Sequence, residues 1–265
     1  MLTRSLSVVA LMFSFFTSSF SQDLSLFEKK TYISGNDTLR YRLLLPENFD
    51  RKKKYPLVLF LHGAGERDND NEKQLMHGMP RFVEPANRKN IQCIVIAPQC
   101  PLNQSWNSAK TNRDVHPFVR EFNYNNPIPK PLQLAIDLTK SVIAEESVDK
   151  KKVAVAGLSM GGMGTFEAVG RFPDLFVAAA PICGGGDANY YSKKQAKVDF
   201  WIFHGDSDGT VDVRYSREMF NRLKELKAKV KYSEYPSVDH NSWDNAFAEP
   251  QFLPWLIGQG PRGEF

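Results

Sequence analysis

Val153-Ala154-Val155-Ala156-Gly157-Leu158-Ser159-Met160-Gly161-Gly162 is a strand, a turn and the start of a helix. Val153 to Ala156 are small and apolar throughout, as in a strand buried on both faces. Met160 to Arg171 reads as a helix. Between them stands Gly-x-Ser-x-Gly. The isolated pattern is weak, but at a strand-to-helix junction it has a physical cause. A turn that tight would make flanking side chains collide, and glycine at 157 and 161 relieves the collision while the serine is left exposed above the helix N-terminus.

Working outward, short apolar runs at Tyr55 to Leu61, Cys93 to Ala97, Phe176 to Ile182, Phe200 to Phe203 and Val230 to Tyr235 alternate with helical stretches. Helices are expected at Leu132 to Glu146, Ser216 to Ala228 and Asn245 to Gly258. Upstream, Lys30 to Ser34 and Leu39 to Leu45 flank Asn36-Asp37, a turn signal for an antiparallel hairpin at one sheet edge. The expected fold class is α/β: an eight-stranded, mostly parallel sheet with helices on both faces. In such sheets ligands bind beyond the carboxyl ends of the strands, and the residues with chemical potential stand there.

A serine hydroxyl needs a base within hydrogen-bond reach, and the base needs a third group to orient it. Of the five histidines only His204 and His240 follow Ser159. His204 sits against a strand end before any suitable acid, so His240 is the expected base. Asp206 and Asp208 compete as the acid. Asp208 lies deeper in its loop, where it can reach the histidine loop, whereas Asp206 reads as a turn residue bonding to its own backbone. The first long strand ends in Leu61-His62-Gly63-Ala64-Gly65-Glu66. There the N–H of Ala64, with that of Met160, is expected to form a two-donor oxyanion hole. A plain strand-ending turn is the other reading of His62-Gly63.

The order HGAGE, GLSMGG, HGDSDGTV and DHNSW resembles α/β-hydrolase serine esterases of the dienelactone hydrolase, feruloyl esterase and phospholipase/carboxylesterase groups. The resemblance covers nearly the whole chain after residue 21. It implies the α/β-hydrolase fold, hydrolysis of carboxylic esters through an acyl-enzyme, a triad of Ser159, Asp208 and His240, and oxyanion donors at Ala64 and Met160. The expected substrate is a short-chain or aromatic acyl ester, as a small molecule or linked to a polysaccharide. Similar sequences also resemble the catalytic domain of prolyl oligopeptidases, so a serine peptidase is the alternative. A non-catalytic protein on the same scaffold is expected to lack a triad residue, and none is missing.

Between Gln99 and Leu132 lies a long segment with few regular signals, containing Trp106, Arg113, His116, Phe118 and Arg120. Segments of that length are functional or disordered, and its place after a strand end sets it over the site. Trp106 is a candidate substrate-binding wall for a sugar or phenolic acyl group, or else packs the loop. Trp243 is a second candidate, with a packing anchor as its other reading.

Arg4 followed by apolar Leu6 to Phe16 and small residues at Ser19 and Ser21 has the pattern of a signal peptide over 1–21. The apolar run is shorter than the roughly 20 residues a membrane span needs. The expectation is a single catalytic domain over 22–265, secreted or periplasmic, with no membrane span after cleavage. The formal charge is +4. Its main lysine and arginine runs, at 51–54 and 150–152, each precede a strand, so no nucleic-acid partner is expected. Three cysteines make an odd count, so at least one is expected free, and Cys93 and Cys100 are separated by a strand too long for a disulfide. A bridge from Cys100 to Cys183 is open. None has metal-ligand spacing, and no cofactor or metal is expected.

Overall fold

The computed structural model describes residues 23–145 and 147–259. The signal-peptide expectation lies outside the described residues, as does the last position of the helix expected to end at Glu146. A mixed sheet of eight strands forms the centre: β1 (Glu28–Ser34), β2 (Asp37–Leu44), β3 (Tyr55–Leu61), β4 (Ile94–Pro98), β7 (Val148–Leu158), β8 (Ala178–Ile182), β9 (Asp199–Gly205) and β10 (Val230–Tyr235). Their order across the sheet is β1-β2-β4-β3-β7-β8-β9-β10. The β1–β2 hairpin turns as expected, with Ser34 opposite Asp37, and β2 also runs antiparallel to β4. All pairings from β4 to β10 are parallel.

Every residue of β3, β4 and β8 is buried, which is why these strands read as continuous apolar runs instead of alternating ones. Successive side chains still point to opposite faces. Leu57, Leu59, Val153, Val155, Phe200 and Ile202 pack on one face against α3 (Lys130–Glu145), α4 (Met160–Arg171) and α5 (Arg214–Glu225). Val58, Phe60, Ala154, Ala156, Trp201 and Phe203 pack on the other against α1 (Met79–Val83), α6 (Trp243–Ala248) and α7 (Phe252–Leu256).

Several boundaries differ from expectation. The strand expected at 153–156 lies within an eleven-residue β7 that extends it in both directions and whose pairing with β3 shifts register between Tyr55 and Leu57. The single helix expected over 245–258 is two short ones, α6 and α7, separated where Pro250 has no N–H to continue the first. Two elements were not expected. One is the short helix pair α1 and α2 (Pro85–Asn90), and the other is a hairpin of β5 (Lys110–Asn112) and β6 (Val119–Glu121) inside the long segment after Gln99. The three cysteines are free and buried, so Cys100 and Cys183 form no bridge.

The junction of β7 and α4 is a backbone-to-backbone contact. A Cβ on Gly161 would stand 1.9 Å from the Leu61 carbonyl oxygen and 2.7 Å from that of His62, and one on Gly157 would stand 2.5 Å from the Gly161 oxygen. No rotamer change relieves a clash with main chain. Gly161→Ala is therefore expected to lower the unfolding free energy by about 2 kcal/mol or more. Gly65→Ala, with nothing within 4 Å of its added methyl, should change it by less than about 0.5 kcal/mol. Urea denaturation of both variants checks the contrast.

Candidate active site

Ser159 occupies the turn between β7 and α4 with φ 53° and ψ −115°, a left-handed conformation that costs a non-glycine residue of order 1–3 kcal/mol. Its N–H donates to the Ile182 carbonyl at 2.9 Å, which fixes the turn to β8 and leaves the side chain outward. Ser159 Oγ lies 2.8 Å from His240 Nε2, and His240 Nδ1 lies 2.7 Å from Asp208 Oδ2. Three loops at the carboxyl ends of β7, β9 and β10 supply the three residues.

Of the two aspartates, Asp208 is the one at His240, and its side chain is wholly buried. Its Oδ1 accepts from the N–H groups of Thr210 and Val211, both at 2.8 Å. Burial works against ionisation of this carboxyl. Hydrogen bonds from His204 and His240, together with the His240 charge and the Val211 N–H, overcome it and hold the carboxyl well below the usual carboxylate range. Asp206 is exposed and does not bond to its own backbone as expected. Its Oδ1 accepts from Ser237 N–H at 2.7 Å and from Ser207 Oγ at 2.8 Å, tying the acid loop to the histidine loop. His204, passed over as a base, is fully buried, with Nε2 2.9 Å from the Val211 carbonyl and 3.2 Å from Asp208 Oδ2. It supports the acid from behind.

Ala64 begins a 3-10 turn directly after Gly63, and Met160 is the first residue of α4. N–H groups in a first helical turn have no intrahelical acceptor. Ala64 and Met160 line the same cleft as Ser159. Behind Ala64 the strand-ending turn is braced by His62, which accepts from the Cys100 N–H at Nε2 (2.9 Å) and donates from Nδ1 to the Gly63 carbonyl (2.6 Å). Arg67 Nε donates to the Ala64 carbonyl at 2.9 Å.

The cleft has a volume of about 520 Å³. Trp243 is on its wall, edge-on to the His240 ring at a centroid distance of 5.3 Å. Trp106 is not. It is completely buried, its Nε1 donates to the His62 carbonyl at 3.1 Å, and its β-carbon packs over Gly164. The expectation of Trp106 as a substrate-binding wall is thereby corrected. A large aromatic with one polar atom is worth more to the fold as a buried anchor with its N–H satisfied, and its neighbours Ser105 and Asn107 face the cleft instead. Buried Glu167 of α4 holds the same segment, accepting from Ser108 N–H at 2.7 Å and pairing with Arg171. Residues that sequence reasoning did not assign to the cleft include His77, Arg67, Thr210 and the hairpin residues Arg113, Phe118 and Arg120. For Arg113, Phe118 and Arg120 the signal was present only as a long segment of mixed character, and for His77 there was none.

Among the described residues, one cluster has metal-ligand spacing: Cys183, Asp208 and His240, with donor atoms within 4.8 Å of one another. Burial pushes the Cys183 thiol far up, and the Asp208 oxygen and His240 nitrogen are spent on each other. A metal there would have to break that bond.

The sheet order, the strained serine turn and the three loop residues define the α/β-hydrolase fold. The profile described as "Putative esterase" matches residues 34–241, and the chain belongs to that family. A thermostable esterase superposes with a TM-score of 0.79 at 35% identity, over 89% of this chain and 64% of its own. A ferulic acid esterase of Anaeromyces mucronatus, in complex with ferulic acid, has a TM-score of 0.64 at 17% identity over 88% and 91%, a likeness of fold. An uncharacterised secreted protein of Arthroderma benhamiae is 28% identical over 85% of this chain. A bifunctional acetylxylan esterase/xylanase of Neocallimastix patriciarum is 27% identical over 43%. The chain spans 26% and 18% of the lengths of these two relatives.

The hydrogen bonds of His62 fix its neutral form, because a proton on Nε2 would face the Cys100 N–H. Burial, the main cause, lowers its pKa from 6.5 to about 4. The unfolded chain takes up this proton near pH 6.5 while the folded protein resists it until about pH 4, so acidification through that window favours unfolding. The expected loss attributable to His62 is on the order of 3 kcal/mol. It is measured as the difference between wild type and His62→Asn in urea denaturation from pH 7 to pH 4. An identical pH dependence in the two proteins would contradict it.

Proposed function

We propose that this protein is a serine esterase in which Ser159 attacks the ester carbonyl, His240 is the general base and acid, and Asp208 orients His240. The observation that carries the reading is the unbroken chain from Ser159 Oγ through both nitrogens of His240 to the buried Asp208, at 2.8 and 2.7 Å. His240 Nε2 takes the Ser159 proton as Oγ bonds to the carbonyl carbon, and the N–H groups of Ala64 and Met160 hold the oxyanion. When the carbonyl re-forms, the alcohol leaves with the proton from His240. A water activated by the same nitrogen then releases the acid from the acyl-enzyme.

The substrate class follows from the cleft. Its volume of about 520 Å³, with Trp243 on the wall beside the base, suits short or aromatic acyl groups. An ester on a polysaccharide is consistent with the acetylxylan esterase/xylanase relative. Export is supported by the pattern of residues 1–21 and by the secreted relative. Among the described residues no helix is long and apolar enough to cross a membrane.

One experiment tests both the roles and the class: wild type, Ser159→Ala, Asp208→Asn and Asp206→Asn assayed on acetyl, feruloyl and palmitoyl esters and a prolyl amide. Ser159→Ala should fall at least about a thousandfold, leaving only what binding and the oxyanion hole supply. Asp208→Asn should fall far more than Asp206→Asn, which loses only an inter-loop tie. Acetyl or feruloyl esters should have the highest kcat/KM. A palmitoyl ester or prolyl amide preferred by about tenfold, some 1.4 kcal/mol, would reject the substrate class and leave the triad standing.

A further inference from the structure

The cleft carries more positive charge than hydrolysis of a neutral ester requires. Arg67, Arg113 and Arg120 line it, and Glu66 is the one carboxylate among its lining residues. Elsewhere Arg42, Arg81, Arg171, Arg214, Arg217 and Arg222 each pair with a carboxylate, whereas Arg40, Arg51 and Arg88 have no ion pair among the described residues. The three that share the cleft have none among the described residues either. Glu66 is no partner for them, since its carboxylate is buried beside Gly63 and His77. Asp208 acts on Arg120 through its charge, but its oxygens are taken by His240, His204 and two backbone N–H groups.

The hairpin pair is the more unusual. The guanidinium carbons of Arg113 and Arg120 lie 5.4 and 5.7 Å from the centroid of one ring, Phe118. Arg120 is half-buried, and its Nη1 donates to the carbonyls of Phe118 at 3.0 Å and Thr210 at 2.9 Å. Both hydrogens of Nη1 are thereby used, which leaves Nε and Nη2 with three N–H groups that have no acceptor among the described residues. The hairpin is itself fixed to the acid loop by the Phe118 to Val211 bridge and to the start of α5 by Tyr215 Oη accepting from Arg120 N–H at 2.7 Å. Two like charges on one ring, one of them desolvated, repel each other unless an anion joins them.

We infer that Arg113 and Arg120 form a subsite for a carboxylate on the substrate, so that the preferred esters are anionic close to the scissile bond. The inference rests on the esterase reading above. Guanidinium groups present paired donors that match a carboxylate, and Arg113, Arg120 and the Phe118 ring between them in sequence all line the cleft. A neutral ester leaves these donors to water.

The test compares kcat/KM for ester pairs in which a carboxylate is replaced by the near-isosteric neutral carboxamide, each rate divided by that of the ester's uncatalysed alkaline hydrolysis. On the alcohol side the pair is 4-carboxyphenyl acetate and 4-carbamoylphenyl acetate. On the acyl side it is the mono-4-nitrophenyl ester of adipic acid and that of its monoamide. In at least one pair the anionic ester should be preferred by about tenfold or more, and that pair tells which side of the ester the carboxylate occupies. The preference should shrink in concentrated NaCl and fall toward unity in Arg113→Gln and in the Arg113→Gln/Arg120→Gln double variant. Arg113 is exposed, so its single variant reports even if the double variant folds poorly. Hydrolysis of the neutral esters with a preference below about twofold in both pairs, or a preference that survives Arg113→Gln and the double variant, overturns the subsite alone. Hydrolysis of none of the four esters overturns the esterase reading with it.

Discussion

The approach of the α4 N-terminus to the end of β3 governs the site. Gly157 and Gly161 let two segments of main chain meet where any side chain would strike a carbonyl, and the chain between them can then turn only through a strained serine. Ser159 N–H is held by Ile182, so the turn cannot relax toward an ordinary conformation. The strain is offset by sheet pairing on both sides of β7, the strand that pairs with both β3 and β8. The same contact brings the turn after β3 beside the first N–H groups of α4. A serine side chain and two candidate oxyanion donors thus follow from one packing event.

Buried polar groups hold the rest of the cleft in place. His62 satisfies the backbone of both Gly63 and Cys100, and Trp106 satisfies His62 in turn. Glu167 and Arg171 fasten the following residues to α4. Burial favours the neutral form of Glu167 and raises its pKa, with the Ser108 and Arg171 contacts acting against that rise. Each of these groups would be costly to leave unpaired, so the wall of the cleft has little freedom to drift from the serine.

Much of this was legible in the sequence because it depends on local chemistry. Continuous apolar runs gave the buried strands, and glycine spacing at 157 and 161 marked the turn. The order of serine, acid and histidine motifs singled out His240, and depth in the acid loop favoured Asp208 over Asp206; the fold brings both to Ser159. The β5–β6 hairpin was not legible. Its strands are three residues long, and they are held by Val211 and Tyr215, which are distant in sequence. Trp106 misled for a related reason: an aromatic residue in a loop looks the same in sequence whether it lines a cleft or anchors it from beneath. The split at Pro250 was readable from proline's missing N–H, but the apolar periodicity on either side concealed it.

The account stands or falls on Ser159 as the nucleophile, because the proposed roles of His240, Asp208, Ala64 and Met160 are all defined relative to its oxygen. The most direct measurement is peptide mapping by mass spectrometry after inactivation with a fluorophosphonate, which bonds to an activated serine. The account predicts a single adduct on Ser159, formed in step with loss of ester hydrolysis and absent in His240→Ala. An adduct on another residue accompanying inactivation, or full hydrolytic activity with Ser159 quantitatively modified, would contradict it.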